Sequence, residues 1–415
     1  MMTRNQTNER DHLEMLSIEQ LVPENHLVRK LDTAIDFSFI YPLVENLYSA
    51  CGRPSIDPVI LFKITMIQYV FGIRSMRQTI KEIETNIAYR WFLGFSFYTE
   101  VPHFSTFGKN YERRFENTDV FEQIFYRILK EIVDAGLLSA DHVFVDSTHV
   151  KASANKRIFN KKMVRKETRA YEERLQEELN LDREKNGKKP FPPEKFEQEE
   201  WKEVKESTTD PESGYYVKDE RTKQFAYSFH AATDERGFIL GTIVTPGNVH
   251  DSEVLQPLVE KLIRHVKKPL AVAADAAYKT PAITNFLFEN QMLPVLPYTR
   301  PKTKDGFFRK HEYVYDEYYD CYICPNNQIL PYVTTTKKGY RQFKSNPTIC
   351  SNCPFLAQCT ESKNHTKIIE RHIWADYVEE AEHLRHHHEI KSIYAKRQET
   401  IERVFADAKE KHGMR

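Results

Sequence analysis

The chain has 415 residues, 29% of them charged and 12% aromatic, and its 60 basic side chains balance its 60 acidic ones to a formal net charge of zero. This composition excludes a disordered chain, and the charge balance excludes a uniformly basic nucleic-acid binder while leaving room for local basic patches. The polar opening MMTRNQTNERDHLEMLSIEQ has no apolar signal segment, and Lys63 and Gln68 interrupt the longest apolar run, so no membrane span is expected and the chain reads as cytoplasmic.

Residues 1–135 read as an all-helical N-terminal domain. The stretch DPVILFKITMIQYVFGI is apolar on most faces, as a buried helix is. Ser75 and Gln78 have the spacing of a capping box and open a helix through SMRQTIKEIETNIAYRWFLG. In HFSTFGKNYERRF, Ser105 or Thr106 is the expected N-cap, and Lys109 and Arg113 share a helical face. That face suits either a DNA-reading helix or an ordinary solvated surface.

Residues 136–301 read as the first part of an α/β core. Val143, Phe144 and Val145 form a buried strand over 141–147 that ends on Asp146. Residues 150–170 carry eight Lys or Arg against a single acid, Glu167, and a charged helical insertion occupies about 158–215. Within it, residues 177–206 hold ten acidic and seven basic side chains, a solvated composition. Two strands, QFAYSFHAATD and FILGTIVTPGN, meet at the hairpin turn DERG. A helix (DSEVLQPLVEKLIRHV), a strand (PLAVAADAAY), a second helix (TPAITNFLFENQ) and a short strand (LPVLPYT) follow. This order makes a mixed sheet whose first three strands are antiparallel. No internal repeat is visible.

Residues 302–375 hold five of the six cysteines, and 376–415 are again helical. Cys321-x2-Cys324 and Cys350-x2-Cys353 are matching knuckles, each followed by proline. Two such turns complete the tetrahedral S4 set that zinc prefers, and the 25-residue gap between them leaves room for a hairpin. Cys359 is a possible substitute for one of the four. The predicted insert is therefore small and zinc-ribbon-like, with one structural Zn²⁺. In HLRHHHE, His383 and His387 have i, i+4 spacing, read here as a solvated helical face.

Asp275 repeats the pattern of Asp146: it ends an apolar strand, here among alanines that permit close approach. Each acid alone suits a turn cap, but two at strand ends of one sheet can converge on a divalent metal. The terminal stretch YAKRQETIERVFADAKEKHGMR reads as one helix, its apolar stripe made by Ile393, Ile401, Val404, Phe405 and Ala408. Glu402 borders that stripe with Lys409 on the same face, and by spacing Glu399 and Glu410 compete with it. His250 and Asp251 in NVHDS suit a strand-to-helix turn, with Asp251 as the cap.

The set VDSTHVKA, GNVHDS, ADAAY and ETIERVFADAKEKHG resembles the DDE transposases of bacterial insertion sequences, over nearly the whole chain. The resemblance implies an RNase-H-like mixed sheet with helices, preceded by the helical domain and carrying the cysteine-rich insert. It implies Asp146, Asp275 and Glu402 as catalytic ligands of two Mg²⁺ ions. Glu402-x6-Lys409 matches the family's motif, while four residues separate Arg397 from Glu402 where the commonest form has three. The expected reaction is metal-dependent hydrolysis and strand transfer at the ends of an insertion element. Lys151, Lys156, Arg157, Arg397 and Lys409 are the expected DNA contacts. The expected partners are double-stranded DNA, as terminal inverted repeats and target, and at least a second copy of the chain, in the bacterial cytoplasm. Similar proteins continue past the position of Arg415, so the chain reads as truncated. A catalytically inactive DNA-binding relic and a plain metal-dependent nuclease are the alternatives.

Overall fold

The computed structural model describes residues 14–49, 51–52, 55–165, 171–193, 196, 201–219 and 221–414. Two units divide the chain, 1–137 with 407–414, and 138–406. The last five residues of the basic segment predicted over 150–170 fall outside the described residues, as does part of the 158–215 insertion.

The first unit is helical. Asp57 caps the helix Pro58–Val70 by accepting from the Val59 N–H at 2.7 Å, and Pro58 fills the first helical position. Leu61, Phe62, Ile64 and Ile67 of this helix meet Val28, Ile40, Ile83 and Phe92 in one apolar core. The helix expected from Ser75 does start there, but it stops at Thr85 and a second helix runs Ile87–Phe92. Asn86 makes the break: its side chain accepts from the N–H groups of Ala88 and Tyr89, which a continuous helix would direct to carbonyls. His103, not Ser105 or Thr106, caps the helix Phe104–Asn110, its Nδ1 accepting from the Ser105 N–H.

The second unit is mixed α/β. Its main sheet contains β1 (His142–Lys151), β2 (Phe159–Arg165), β3 (Trp201–Ser207), β4 (Gly214–Val217), β5 (Lys223–Thr233), β6 (Ile239–Pro246), β7 (Ala271–Ala273) and β8 (Leu293–Val295). The order is β2-β3-β4-β5-β1-β7-β8, with β6 also paired to β5. The antiparallel set β6, β5, β1 is followed by β7 and β8 in parallel, the mixed sheet expected of an RNase-H-like core.

β4 and β6 share one edge of β5, β4 along Lys223–Ala226 and β6 along Tyr227–Thr233. The handover at Ala226 leaves no room for side chains. A Cβ on Gly247 would stand 2.7 Å from the Ala226 carbonyl oxygen, and one on Gly214 would stand 2.6 Å from the Gly247 nitrogen.

Two sequence expectations change here. β1 does not stop at 147 but continues to Lys151, because β5 pairs with it through Lys151↔Ala226. The charged insertion is not wholly solvated either. Residues 201–207 form a strand paired to β2, and the helix Glu172–Lys185 fully buries Leu179. The same helix buries Asp182, which accepts from Thr335 Oγ1 and Arg341 Nε at 2.7 Å each.

A second sheet, five-stranded and antiparallel, forms from β9 (Val314–Asp316), β10 (Cys321–Ile323), β11 (Ile329–Thr335), β12 (Tyr340–Lys344) and β13 (Ile368–His372). Its core is Tyr313, Tyr322, Leu330, Phe343 and Ile369. Among the described residues no helix is long and apolar enough to cross a membrane.

Candidate active site

Strand periodicity sorts the residues of β1 between two faces. Val143 and Val145 pack with Leu255, Leu258, Val259, Leu262, Ile283 and Leu287 of the helices Leu255–His265 and Pro281–Glu289. Phe144 packs on the other side with Ala271, Ala273, Ile390, Ile393, Ile401 and Phe405. Asp146 has the parity of Phe144 and Asp275 that of Ala273, so both belong to the face covered by the helices His388–Ala395 and Ile401–Lys411. Phe144 pairs with Ala273 in parallel register, and each aspartate lies two residues further on. β7 has ended by then. Asp275 remains extended at φ −80°, ψ −178°, and its Oδ1 accepts from the Ala277 N–H at 2.9 Å. β7 thus ends opposite Phe144, two residues before Asp146, while β1 continues against β5 to Lys151.

The terminal stretch is two helices rather than one. Residues 396–400 form a turn, closed by Thr400 Oγ1 donating to the Lys396 carbonyl at 2.8 Å. This turn holds the extra residue between Arg397 and Glu402, so motif spacing along a continuous helix does not apply. Arg397, expected to contact DNA, is 6% exposed and forms an ion pair with Asp146, its Nη2 2.9 Å from Oδ2. Its Nη1 also lies 3.4 Å from the Tyr394 hydroxyl, while its Nε is buried without a hydrogen-bond partner among the described residues.

Asp146 accepts from the Ser147 N–H at 2.8 Å. Burial pushes its pKa up to about 6; Arg397 and the Ser147 N–H oppose this, and the charges of Asp275 and Glu402 add to it. Of the three glutamates that compete by spacing, Glu402 is thus the one whose charge is felt at Asp146. Glu399, Glu402 and Glu410 are all exposed, so exposure does not separate them. Among the described residues no three His, Cys, Asp or Glu side chains stand close enough to hold one metal ion as they are.

Four further residues lie on the opposite face of β1, and sequence reading assigned none of them to the site. Ser147 pairs with the fully buried His230 across β1 and β5. His230 Nδ1 is 3.3 Å from the buried Tyr278 hydroxyl, Nε2 is 3.2 Å from Thr245 Oγ1, and Asp251 Oδ1 is 3.9 Å from Nδ1. Tyr278 ends the 3-10 turn that Asp275 caps, so this buried polar set braces both aspartate-bearing segments from behind. Tyr278 stands in ADAAY and Asp251 in NVHDS, but nothing local ties either to a histidine on β5. The expected cap role of Asp251 belongs to His250, which accepts from the Ser252 N–H at 3.2 Å.

Lys151, Lys156 and Arg157 are exposed. Lys161 and Lys162 are instead paired across the sheet with Glu203 and Glu206, at 2.9 and 2.6 Å, so part of the basic segment is neutralised by β3. Lys109 and Arg113 are exposed in the first unit, and Lys409 is seven residues beyond Glu402 on the last helix. His383 and His387, the spaced histidine pair, are both exposed and do not share a helix, since the first of the two helices there ends at Leu384.

The five clustered cysteines do not share one setting. Tyr322 of β10 enters the core of the second sheet, so Cys321 faces the other way, where burial, then Asp316 and Asp320, push its thiol pKa up. Cys324, Cys350, Cys353 and Cys359 line one cavity of about 30 Å³, and Cys321 does not.

Residues 16–113 match a family model described as Transposase domain (DUF772), and residues 323–415 match one described as Transposase DDE domain. The second match contains Arg397 and Glu402; Asp146 and Asp275 lie between the two matches. No curated protein and no solved structure matches the chain.

Proposed function

We propose that this chain, a DDE transposase of the insertion-sequence kind, cuts and joins DNA with Asp146, Asp275 and Glu402 as its metal-binding carboxylates. The observation that carries this reading is the parallel register Phe144↔Ala273: Asp146 in β1 and Asp275 just past β7 each lie two residues beyond it, on the side of the Glu402 helix.

The donor set fits hard divalent cations. Three carboxylates come from three separate elements, and Asp146 is a largely buried acid raised to about pKa 6, a position that a cation relieves. When bound, two Mg²⁺ ions supply activation of the attacking oxygen and charge stabilisation at the leaving one. The chain's own residues do the rest. β1 and the end of β7 position the two aspartates, the turn at 396–400 presents Glu402, and the Arg397 guanidinium supplies counter-charge to Asp146. Lys151, Lys156, Arg157 and Lys409 offer phosphate contacts, and the helical region 1–135 offers a DNA-reading surface. The partners are the terminal inverted repeats and the target duplex, held in the bacterial cytoplasm by at least two copies of the chain. A Zn²⁺ ion in the cysteine-rich insert is the structural metal.

The test is incubation of the purified chain with labelled element ends and Mg²⁺. The expected products are nicked ends with free 3′-hydroxyls and, from these, joined strands. Asp146→Asn is expected to bind the same ends and release no product. Cleavage by that variant at the unsubstituted rate would remove Asp146 from the site. Binding without cleavage by the unsubstituted chain would mark an inactive relic, and cleavage without joining a nuclease.

A further inference from the structure

The cysteine pocket joins segments far apart in sequence. Cys324 begins the tight turn between β10 and β11, in which its N–H donates to the Gln328 carbonyl at 2.9 Å and its carbonyl accepts from the Asn327 N–H at 2.8 Å. Cys350 ends the short helix Pro347–Cys350, and the Cys353 N–H donates back to the Cys350 carbonyl at 3.1 Å. Cys359 ends the next short helix, Leu356–Cys359. The four cysteines line a cavity of about 30 Å³, above the roughly 10–15 Å³ that a water-sized body needs by the same measure. Two neighbours suit a negatively charged thiolate cluster. The Tyr313 hydroxyl, on a residue 4% exposed, lies 3.3 Å from Cys359 Sγ, and Lys367 reaches the Cys359 carbonyl at 3.0 Å.

We infer that Cys324, Cys350, Cys353 and Cys359 hold the structural zinc, with Cys321 outside the ligand set and Tyr313 and Lys367 offsetting the charge of the cluster. The inference rests on the zinc reading above and names its ligands; it is independent of cleavage and joining. The thiols line the cavity without meeting at ligand distance, so they would have to rotate inward to hold the ion. Each thiol would give up its proton to solvent on binding, and four thiolates with one Zn²⁺ would carry a net charge of −2. Cys321 is excluded by strand periodicity. In β10 it points to the face opposite Tyr322, whereas Cys324 packs on the Tyr322 side.

The experiment is elemental analysis of the full chain, purified without chelator, alongside Cys321→Ser and Cys359→Ser. About one zinc per chain is expected in the unsubstituted protein and in Cys321→Ser, and a loss of most of it in Cys359→Ser. Should Cys359→Ser not fold, Cys359→His keeps a zinc-competent ligand and is expected to restore folding and metal together. Zinc kept by Cys359→Ser and lost by Cys321→Ser would overturn the ligand assignment while leaving the zinc reading standing. No zinc in any of the chains, iron in its place, or disulfides among these thiols would overturn both.

Discussion

Asp146 in β1 and Asp275 just past the end of β7 each lie two residues beyond the parallel pair Phe144↔Ala273, with Arg397 held against the first of them at 2.9 Å. A buried guanidinium thus occupies the side of Asp146 that faces the C-terminal helices. The carboxylate that an apolar strand ends on has a cationic partner within its own fold.

Removing that partner leaves a largely buried carboxylate raised further above its usual range, because Arg397 is the strongest influence holding it down. Arg397→Ala is expected to cost on the order of 3 kcal/mol in urea denaturation. Replacing both partners, Asp146→Asn with Arg397→Met, is expected to recover much of that loss. Equal stability of Arg397→Ala and the unsubstituted chain would mean that the pair does not hold in solution.

The third acid separates by substitution. Glu402→Gln is expected to reduce end cleavage by at least a hundredfold, about 2.7 kcal/mol of barrier, with DNA affinity retained. Glu399→Gln and Glu410→Gln are expected to cut normally. A cleavage defect in either of these, with Glu402→Gln unaffected, reassigns the residue.

DNA affinity is expected to fall with salt despite the zero net charge. Lys151, Lys156 and Arg157 are exposed, and among the described residues no ion pair engages them, whereas Lys161 and Lys162 are paired with Glu203 and Glu206. Replacing the three exposed cations with alanine is expected to flatten the log–log salt slope by about 2.7, from about 0.9 per phosphate contact. An unchanged slope would place the phosphate contacts elsewhere.

Acid is expected to destabilise the second sheet through His372. Burial lowers its pKa to about 4 from 6.5, outweighing a hydrogen bond to the Lys338 backbone that favours the charged form, and its Nδ1 accepts from the Trp374 N–H at 3.1 Å. The neutral ring uses both nitrogens, and protonation at Nδ1 breaks the second bond. The unfolded chain binds this proton more readily, so the contribution is complete above pH 6.5 and disappears as pH falls to about 4. Denaturation midpoints measured across that window should drop, and His372→Gln should flatten part of the drop. A pH-independent difference between the two chains would remove the histidine as its source.

What the sequence by itself determined is local. A β-branched and aromatic run marked β1, the DERG turn marked the β5–β6 hairpin, Ser75 and Gln78 marked a helix start, and two acids closing apolar runs marked the site. These features depend on residues a few positions apart, so backbone sterics and local hydrogen bonding decide them. Pairings between distant segments were decided by tertiary structure. β5 carried β1 on to Lys151, and Asn86 and the turn at 396–400 divided helices that apolar spacing alone made continuous. Packing of the C-terminal helices brought Arg397 to Asp146, the β1–β5 register set His230 behind Ser147, and the pleat of β10 turned Cys321 away from Cys324. The reason is that spacing counts residues along the chain, whereas a site is built by whichever faces the hydrophobic core forces together.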